Sequence, residues 1–198
     1  IDAAHFPDEA LRQLVRQELD RNDNGLLEAS ESEAVTTWDI SGHGIADLTG
    51  LEYLLNLSVL NCSNNALTSL PENLSEQLTE LDCSKNQLTT LSLGHAAETL
   101  TSLNCAENAL TELQLSAFPA LLSLDCHGNT ALQSLTVPES ALLETLNCAQ
   151  CSITTLSLQN LEKLRILHCA ENQLTDLDFS GFSVLEQVDC SQNQLKSF

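Results

Sequence analysis

Seven cysteines recur at an almost fixed interval. Cys62, Cys83, Cys105, Cys126, Cys148, Cys169 and Cys190 are separated by 21, 22, 21, 22, 21 and 21 residues, and Ile40, 22 residues before Cys62, begins the same ladder. Around the cysteines one frame returns: LSVLNCSNNALTSL, LTELDCSKNQLTTL, LTSLNCAENALTEL and LRILHCAENQLTDL all read L-x-x-L-x-C-x-x-N-x-L-T-x-L. A unit this short cannot bury its own apolar face. It has to be stacked, so that each copy completes the core of its neighbours.

The frame also sets the path of each turn. In L-x-C the two apolar residues are two apart and point the same way from an extended strand. The asparagine three places after the cysteine can bond exposed backbone groups of the turn through its amide. It stands at Asn65, Asn86, Asn108, Asn129, Asn172 and Asn193, with His43 and Cys151 in its place in the first and sixth turns. The next leucines bring the chain back to the core. Strands stacked about 4.8 Å apart over eight turns give a rod on the order of 35–40 Å long. The return half carries L-x-L at Leu91/Leu93, Leu113/Leu115, Leu135/Val137, Leu156/Leu158 and Leu177/Phe179, which predicts short extended segments rather than a full helix. Residues 67–78 carry Pro71 instead and are expected to take another path. One extra residue within 128–132 is expected to bulge from the asparagine turn.

This frame resembles the leucine-rich repeat, with cysteine at the third apolar position, over about residues 35–198. The resemblance implies an α/β-type solenoid dominated by short parallel β-strands: a right-handed coil of about eight turns of 21–22 residues, the first one divergent.

The cysteines allow several readings: disulfides, a metal or redox pair at Cys148-Ala-Gln-Cys151, or small core hydrophobes. Ladder side chains running inward in parallel on neighbouring strands do not converge on disulfide geometry. The C-x-x-C also has a structural explanation, since Cys148 is the ladder position and Cys151 the asparagine position. No second cysteine pair or suitably placed histidine supports zinc. The core reading is preferred.

Residues 1–34 lie outside the repeat and read as an N-terminal α-helical cap. Phe6-Pro7-Asp8-Glu9 looks like a helix start, with proline at the first helical position and acids in the first turn. Leu11, Leu14, Val15 and Leu19 then share one face at helical spacing. Such a helix would cover the open end of the stack. Residues 20–31, DRNDNGLLEASE, match the calcium loop of an EF-hand. Asp20, Asn22 and Asn24 stand at loop positions 1, 3 and 5, and Gly25 at the sharp turn. Leu26 would offer its carbonyl, Glu28 would act through water, and Glu31 would be the bidentate ligand. A structural Ca2+ is therefore one expectation, and a cap that keeps the loop's shape without metal is the other. A helical cap joined to short repeats through WDISGHGIADLTGLEYL resembles bacterial internalin-like proteins.

Strand residues between the inward positions are expected on the concave face: Asp39, Asn61, Asp82, Asn104, Asp125, Asn147, His168 and Asp189. Aspartate and asparagine nearly alternate, which separates carboxylates by two strands, or ~10 Å. This face is either a solvated sheet surface or a polar docking groove for a protein or a glycan. It holds no aromatic, the residue type that usually dominates protein-binding hot spots. With 7 Lys+Arg against 28 Asp+Glu, the formal net charge is -21. That excludes nucleic acid and an anionic membrane surface as partners and favours a basic one. No apolar run is long enough to insert in a membrane.

No nucleophile–base pair, phosphate loop or paired catalytic carboxylates stand out, so an enzyme in its own right is not expected. What the resemblance implies is a protein-binding or adhesion module, secreted or on a bacterial cell surface. The alternative is the substrate-recognition arm of a larger effector or enzyme, acting in the cytoplasm; reduced cysteines suit that compartment. The chain starts at Ile1 without any methionine and stops at Leu195-Lys-Ser-Phe198, partway through a turn. A processed form of a longer protein is expected, with any signal peptide lying outside this sequence.

Overall fold

The structure, a computed structural model, describes residues 1–136, 142–159 and 161–196. Among the described residues, eight three-residue strands lie side by side in one parallel sheet, in chain order. They are β1 (Thr37–Asp39), β2 (Val59–Asn61), β3 (Glu80–Asp82), β4 (Ser102–Asn104), β6 (Ser123–Asp125), β8 (Thr145–Asn147), β9 (Ile166–His168) and β10 (Gln187–Asp189). The register is that of the repeat: Trp38, Leu60, Leu81, Leu103, Leu124, Leu146, Leu167 and Val188 are successive partners. All but Val188, on the edge strand, are buried. Beside them Ile40, Cys62, Cys83, Cys105, Cys126, Cys148 and Cys169 form a second buried column. All eight cysteines are free thiols, and Cys190 is half-buried.

Each strand runs into a tight turn that forces one residue into the left-handed region. Asn64, Lys85, Glu107, Gln150, Glu171 and Gln192 have φ between 52° and 56°, and Gly42 and Gly128 occupy the same place in their turns. For a residue with a Cβ this conformation costs roughly 1–2 kcal/mol. It persists because the surrounding hydrogen bonds over-determine it. The expected bulge is present: Asn129 is buried while Thr130 and Ala131 are exposed.

On the return side the L-x-L segments turn their leucines inward, with Leu93, Leu113, Leu115, Leu135, Leu156 and Leu158 all buried. Among the described residues, two of the five pair as strands, β5 (Glu112–Gln114) with β7 (Ser134–Thr136), in parallel. Tight 3-10 turns at Leu51–Tyr53, Gly94–Glu98 and Leu115–Ala117 carry other parts of that side. Alternation places the leucines correctly, but backbone pairing also needs neighbouring turns to run level, and turns that hold different short helices do not. Val137 and the last two residues of the chain fall outside the described residues.

The cap begins with α1 (Glu9–Leu14), which continues as one π-helical turn over Val15–Leu19. The proline is not at the first helical position. Asp8 is the N-cap, its backbone extended and its Oδ1 accepting from the Leu11 amide at 3.0 Å. An aspartate carboxylate satisfies a free helix N–H, which proline cannot, so Pro7 sits one place outside. Leu11, Leu14, Val15 and Leu19 are buried as their spacing requires. Bonds that tie the cap to the first turn include Trp38 Nε1 to Glu18 Oε2 at 2.7 Å, the Ala46 amide to Asp8 Oδ2 at 2.9 Å and Asn56 Nδ2 to the Glu33 carbonyl at 2.8 Å. Gly50, at φ 109°, lies so close under Phe6 that a Cβ there would collide with the ring. Among the described residues no helix is long and apolar enough to cross a membrane.

Candidate functional site

The third residue of each strand points to the open face of the sheet. Every one of the eight proposed there is at least partly exposed: Asp39, Asn61, Asp82, Asn104, Asp125, Asn147, His168 and Asp189. Their register brings them into a single file. The aspartates and asparagines also do local work. In each, Oδ1 accepts the amide two residues on and so closes the turn that ends the strand: Ser41 to Asp39, Ser63 to Asn61, Ser84 to Asp82, Ala106 to Asn104, His127 to Asp125, Ala149 to Asn147 and Ser191 to Asp189. Asp and Asn recur here because their short side chains can make this bond. The second oxygen looks along the file. Asn104 Nδ2 donates to Asp82 Oδ2 at 3.0 Å, and Asn147 Nδ2 to Asp125 Oδ2 at 3.2 Å. The alternation therefore settles the carboxylates of Asp82 and Asp125, each of which accepts from the asparagine of the next strand. The Ser41 and Ser191 donors hold the carboxyls of Asp39 and Asp189 below their ordinary range.

A shallow polar hollow of about 570 Å³ lies beside this file, lined by Ser84, Lys85, Asn104, Glu107 and His127 among others. His127 Nδ1 is 2.7 Å from Asp125 Oδ1, and its Nε2 is 3.8 Å from Glu107 Oε1, which also faces Lys85 Nζ at 3.6 Å. The imidazole thus lies between two carboxylates, one of which Lys85 also faces. Farther along, Gln187 Nε2 meets His168 Nε2 at 2.9 Å, and Arg165 forks onto Glu186.

The cap loop closes on itself. Asp20 accepts the Asn24 and Gly25 amides, Glu31 accepts those of Arg21 and Glu28, and the side-chain amides of Asn22 and Asn24 both reach Glu28, each at 3.1 Å. Asp23 and Gly25 are in the left-handed region. The helix that follows the loop, α2 (Ala29–Ser32), is a single turn whose capping box uses Glu28 and Glu31. Among the described residues no three His, Cys, Asp or Glu side chains converge as a metal site. Even so, the donor chemistry fits a hard cation. Every candidate ligand is an oxygen, and Asp20 and Glu31 are buried carboxylates bonded to N–H groups, in no salt bridge among the described residues. To reach a cation, Glu28 would have to leave the two amides.

A profile described as Leucine Rich Repeat matches residues 56–76. Comparison with curated proteins gives no match. Among solved structures, the functional domain of InlJ from Listeria monocytogenes, described as including a cysteine ladder, is 29% identical with a TM-score of 0.76, over 99% of this chain and 48% of that one. InlC2 of the same organism is 24% identical with a TM-score of 0.76, over 98% of this chain and 88% of that one. This is an internalin-like leucine-rich-repeat fold. The chain spans about half the length of the InlJ domain and has a cysteine column of its own in the place that the fold gives it.

Sequence reasoning missed two things in this internalin-like chain. The file of Asp and Asn stood open between a solvated sheet face and a docking groove, and neither reading includes the turn that one oxygen of each closes. One aromatic contact lies off the sheet at the cap, where Tyr53 is 5.9 Å from the His5 ring and 6.0 Å from Phe6. No periodicity joins residues 5, 6 and 53.

Proposed function

We propose that the chain is a non-enzymatic binding module of a bacterial secreted or surface protein, docking a basic protein partner on the open face of its sheet. What supports this is the file from Asp39 to Asp189. Carboxylates held by amide and hydroxyl donors are pre-ordered, so a partner's lysines or arginines do not have to immobilise them. The net charge of -21 steers cationic surfaces toward them. The similarity to InlJ and InlC2 supports the secreted or surface assignment. The test is retention of a basic partner by the full chain across a range of salt concentrations. Replacing Asp82 and Asp125 by Lys should slow association and weaken the salt dependence. Unchanged binding by the double variant would rule the face out.

A second reading concerns the cap: Asp20, Asn22, Asn24, Glu28, Glu31 and the Leu26 carbonyl hold a structural Ca2+. The buried carboxylates of Asp20 and Glu31 support it, since a divalent ion would supply the positive charge their burial calls for. Calcium should then raise the melting temperature, and Glu31→Gln should remove that response. A melting curve indifferent to calcium ends this reading.

A further inference from the structure

The tip of the cap loop carries a reactive pair of residues. Asn24 is the only one of the chain's 15 asparagines that is followed by glycine. The backbone nitrogen of a following residue can attack a side-chain amide and close a five-membered imide ring. A β-carbon on that residue hinders the attack. Gly25 has none, and the place where one would stand has no neighbour within 4 Å. Both residues are exposed, so water reaches them.

The bonds of the loop bring the reacting atoms together. Asn24 Oδ1 accepts the Leu26 amide at 2.8 Å, which closes a small ring and folds Cγ back toward the Gly25 nitrogen. The same N–H draws electron density from the carbonyl under attack. The Gly25 N–H donates to Asp20 Oδ2 at 2.8 Å, an acceptor for the proton that has to leave. The asparagines of the repeat stand otherwise. Asn65, Asn86, Asn108, Asn129, Asn172 and Asn193 each donate Nδ2 to a turn carbonyl, and each precedes a residue with a β-carbon.

We infer that Asn24 is a site of spontaneous deamidation in the folded chain. The Gly25 nitrogen forms a bond to Cγ while its proton passes to Asp20 Oδ2. The Cγ–Nδ2 bond then breaks, the proton reaches Nδ2 by way of water, and ammonia leaves. A second water opens the imide at one of its two carbonyls, and nothing is oxidised or reduced. One opening leaves an aspartate. The other leaves an isoaspartate, which adds a methylene to the main chain at the sharp turn. Either product puts a carboxylate where Asn24 Nδ2 meets Glu28 Oε1 at 3.1 Å, so attraction becomes repulsion. The loop between the two cap helices therefore loosens with age.

The test is incubation of the full chain at mildly alkaline pH with a chelator present, followed by peptide mapping. The chelator keeps the outcome independent of the calcium reading. The expected result is a gain of about 1 Da at Asn24, as –NH2 gives way to –OH, with isoaspartate that an isoaspartyl methyltransferase labels. The other asparagines should keep their mass, and the melting temperature should fall as product accumulates. Asn24→Gln, whose longer side chain would need a six-membered ring, should stay unmodified and keep the melting temperature of fresh protein. Asp20→Asn, which retains an acceptor oxygen, should slow the conversion several-fold. A folded chain that stays unchanged at Asn24, while the same chain unfolded in urea is converted there, would mean that the loop protects the residue and overturns the inference. So does earlier conversion of another asparagine, or an Asp20→Asn chain that reacts as fast as the original.

Discussion

An asparagine side chain both donates and accepts, and the turns of this solenoid use both ends at once. Asn108 Nδ2 reaches the carbonyls of Cys83, Cys105 and Ala106 at 3.1–3.2 Å, while its Oδ1 accepts the Leu88 amide at 2.9 Å. It therefore sews its own turn to the one before. Aspartate would place a charge against three carbonyl oxygens, and alanine would leave buried backbone groups without partners. Asn108→Ala should destabilise the chain by about 2–4 kcal/mol, since each orphaned buried group costs roughly 1–3. Denaturant unfolding at constant slope measures this; a loss within error would mean that water replaces the amide. The cysteine column makes a different prediction at the same scale. Burial pushes the thiol of Cys169 up to about 12 and that of Cys151 up to about 11. A raised thiol stays protonated at pH 8, so the reactive thiolate is scarce there. Iodoacetamide at that pH should modify the half-buried Cys190 first and the other seven only on unfolding, as a mass spectrum taken over time would show.

One turn breaks the asparagine pattern and repairs it. Elsewhere the leucine or isoleucine after the asparagine donates its amide to the next turn's asparagine: Ile45 to Asn65, Leu67 to Asn86, Leu110 to Asn129, Ile153 to Asn172. Leu132 has no such partner, because the next turn offers Cys151. The thiol keeps a weak version of the donor role, toward the Cys126 and Ala149 carbonyls at 3.5 Å, but lacks the amide oxygen. Leu132 instead donates to the Asn129 carbonyl at 2.9 Å, a three-residue closure that the inserted residue makes possible. The insertion in one turn and the cysteine in the next are thus two halves of one arrangement. Deleting Ala131 alone should cost about 1–3 kcal/mol, the loss for an unpaired buried amide. Cys151→Asn in the deletion background should restore most of it. A double-mutant cycle with no coupling would disprove the link. The episode shows what the sequence makes legible. The ladder, the register and the bulge follow from spacing, because stacking repeats one geometry. The reason for the bulge lies in a contact between turns, and the helix starts two residues later than the proline suggests, because capping depends on a side-chain oxygen rather than on proline's φ. At the open face the residues were legible and their local bonds were not; the contact of Tyr53 with His5 and Phe6 follows from no period at all.

At the scale of the whole molecule, a one-dimensional stack cannot separate its charges as a globule does. Each turn touches only its neighbours, and 28 acidic residues against 7 basic ones line a narrow rod, where they repel. Acidification acts on this in two opposite ways. Carboxylates with ordinary environments take up protons as pH falls toward about 4.5, which relieves repulsion and favours the folded state. The carboxyls of Asp39, Asp178 and Asp189 behave otherwise, because the amide and hydroxyl of the serine two residues on hold them below their usual value. A carboxyl depressed in the folded state contributes stability that is present above its unfolded value and lost as pH falls through its folded value. The two effects therefore occupy different windows. At low ionic strength the melting temperature should climb between pH 7 and about 4.5 and drop below about pH 3.5, where these serine turns lose their acceptors. High salt should flatten the climb, since it screens repulsion, and should leave the drop, since a hydrogen bond between neighbours lies within the screening length. Calorimetry across pH at two salt concentrations separates them. A melting temperature that falls steadily from pH 7 would mean that the turn-closing carboxylates outweigh the charge of the rod.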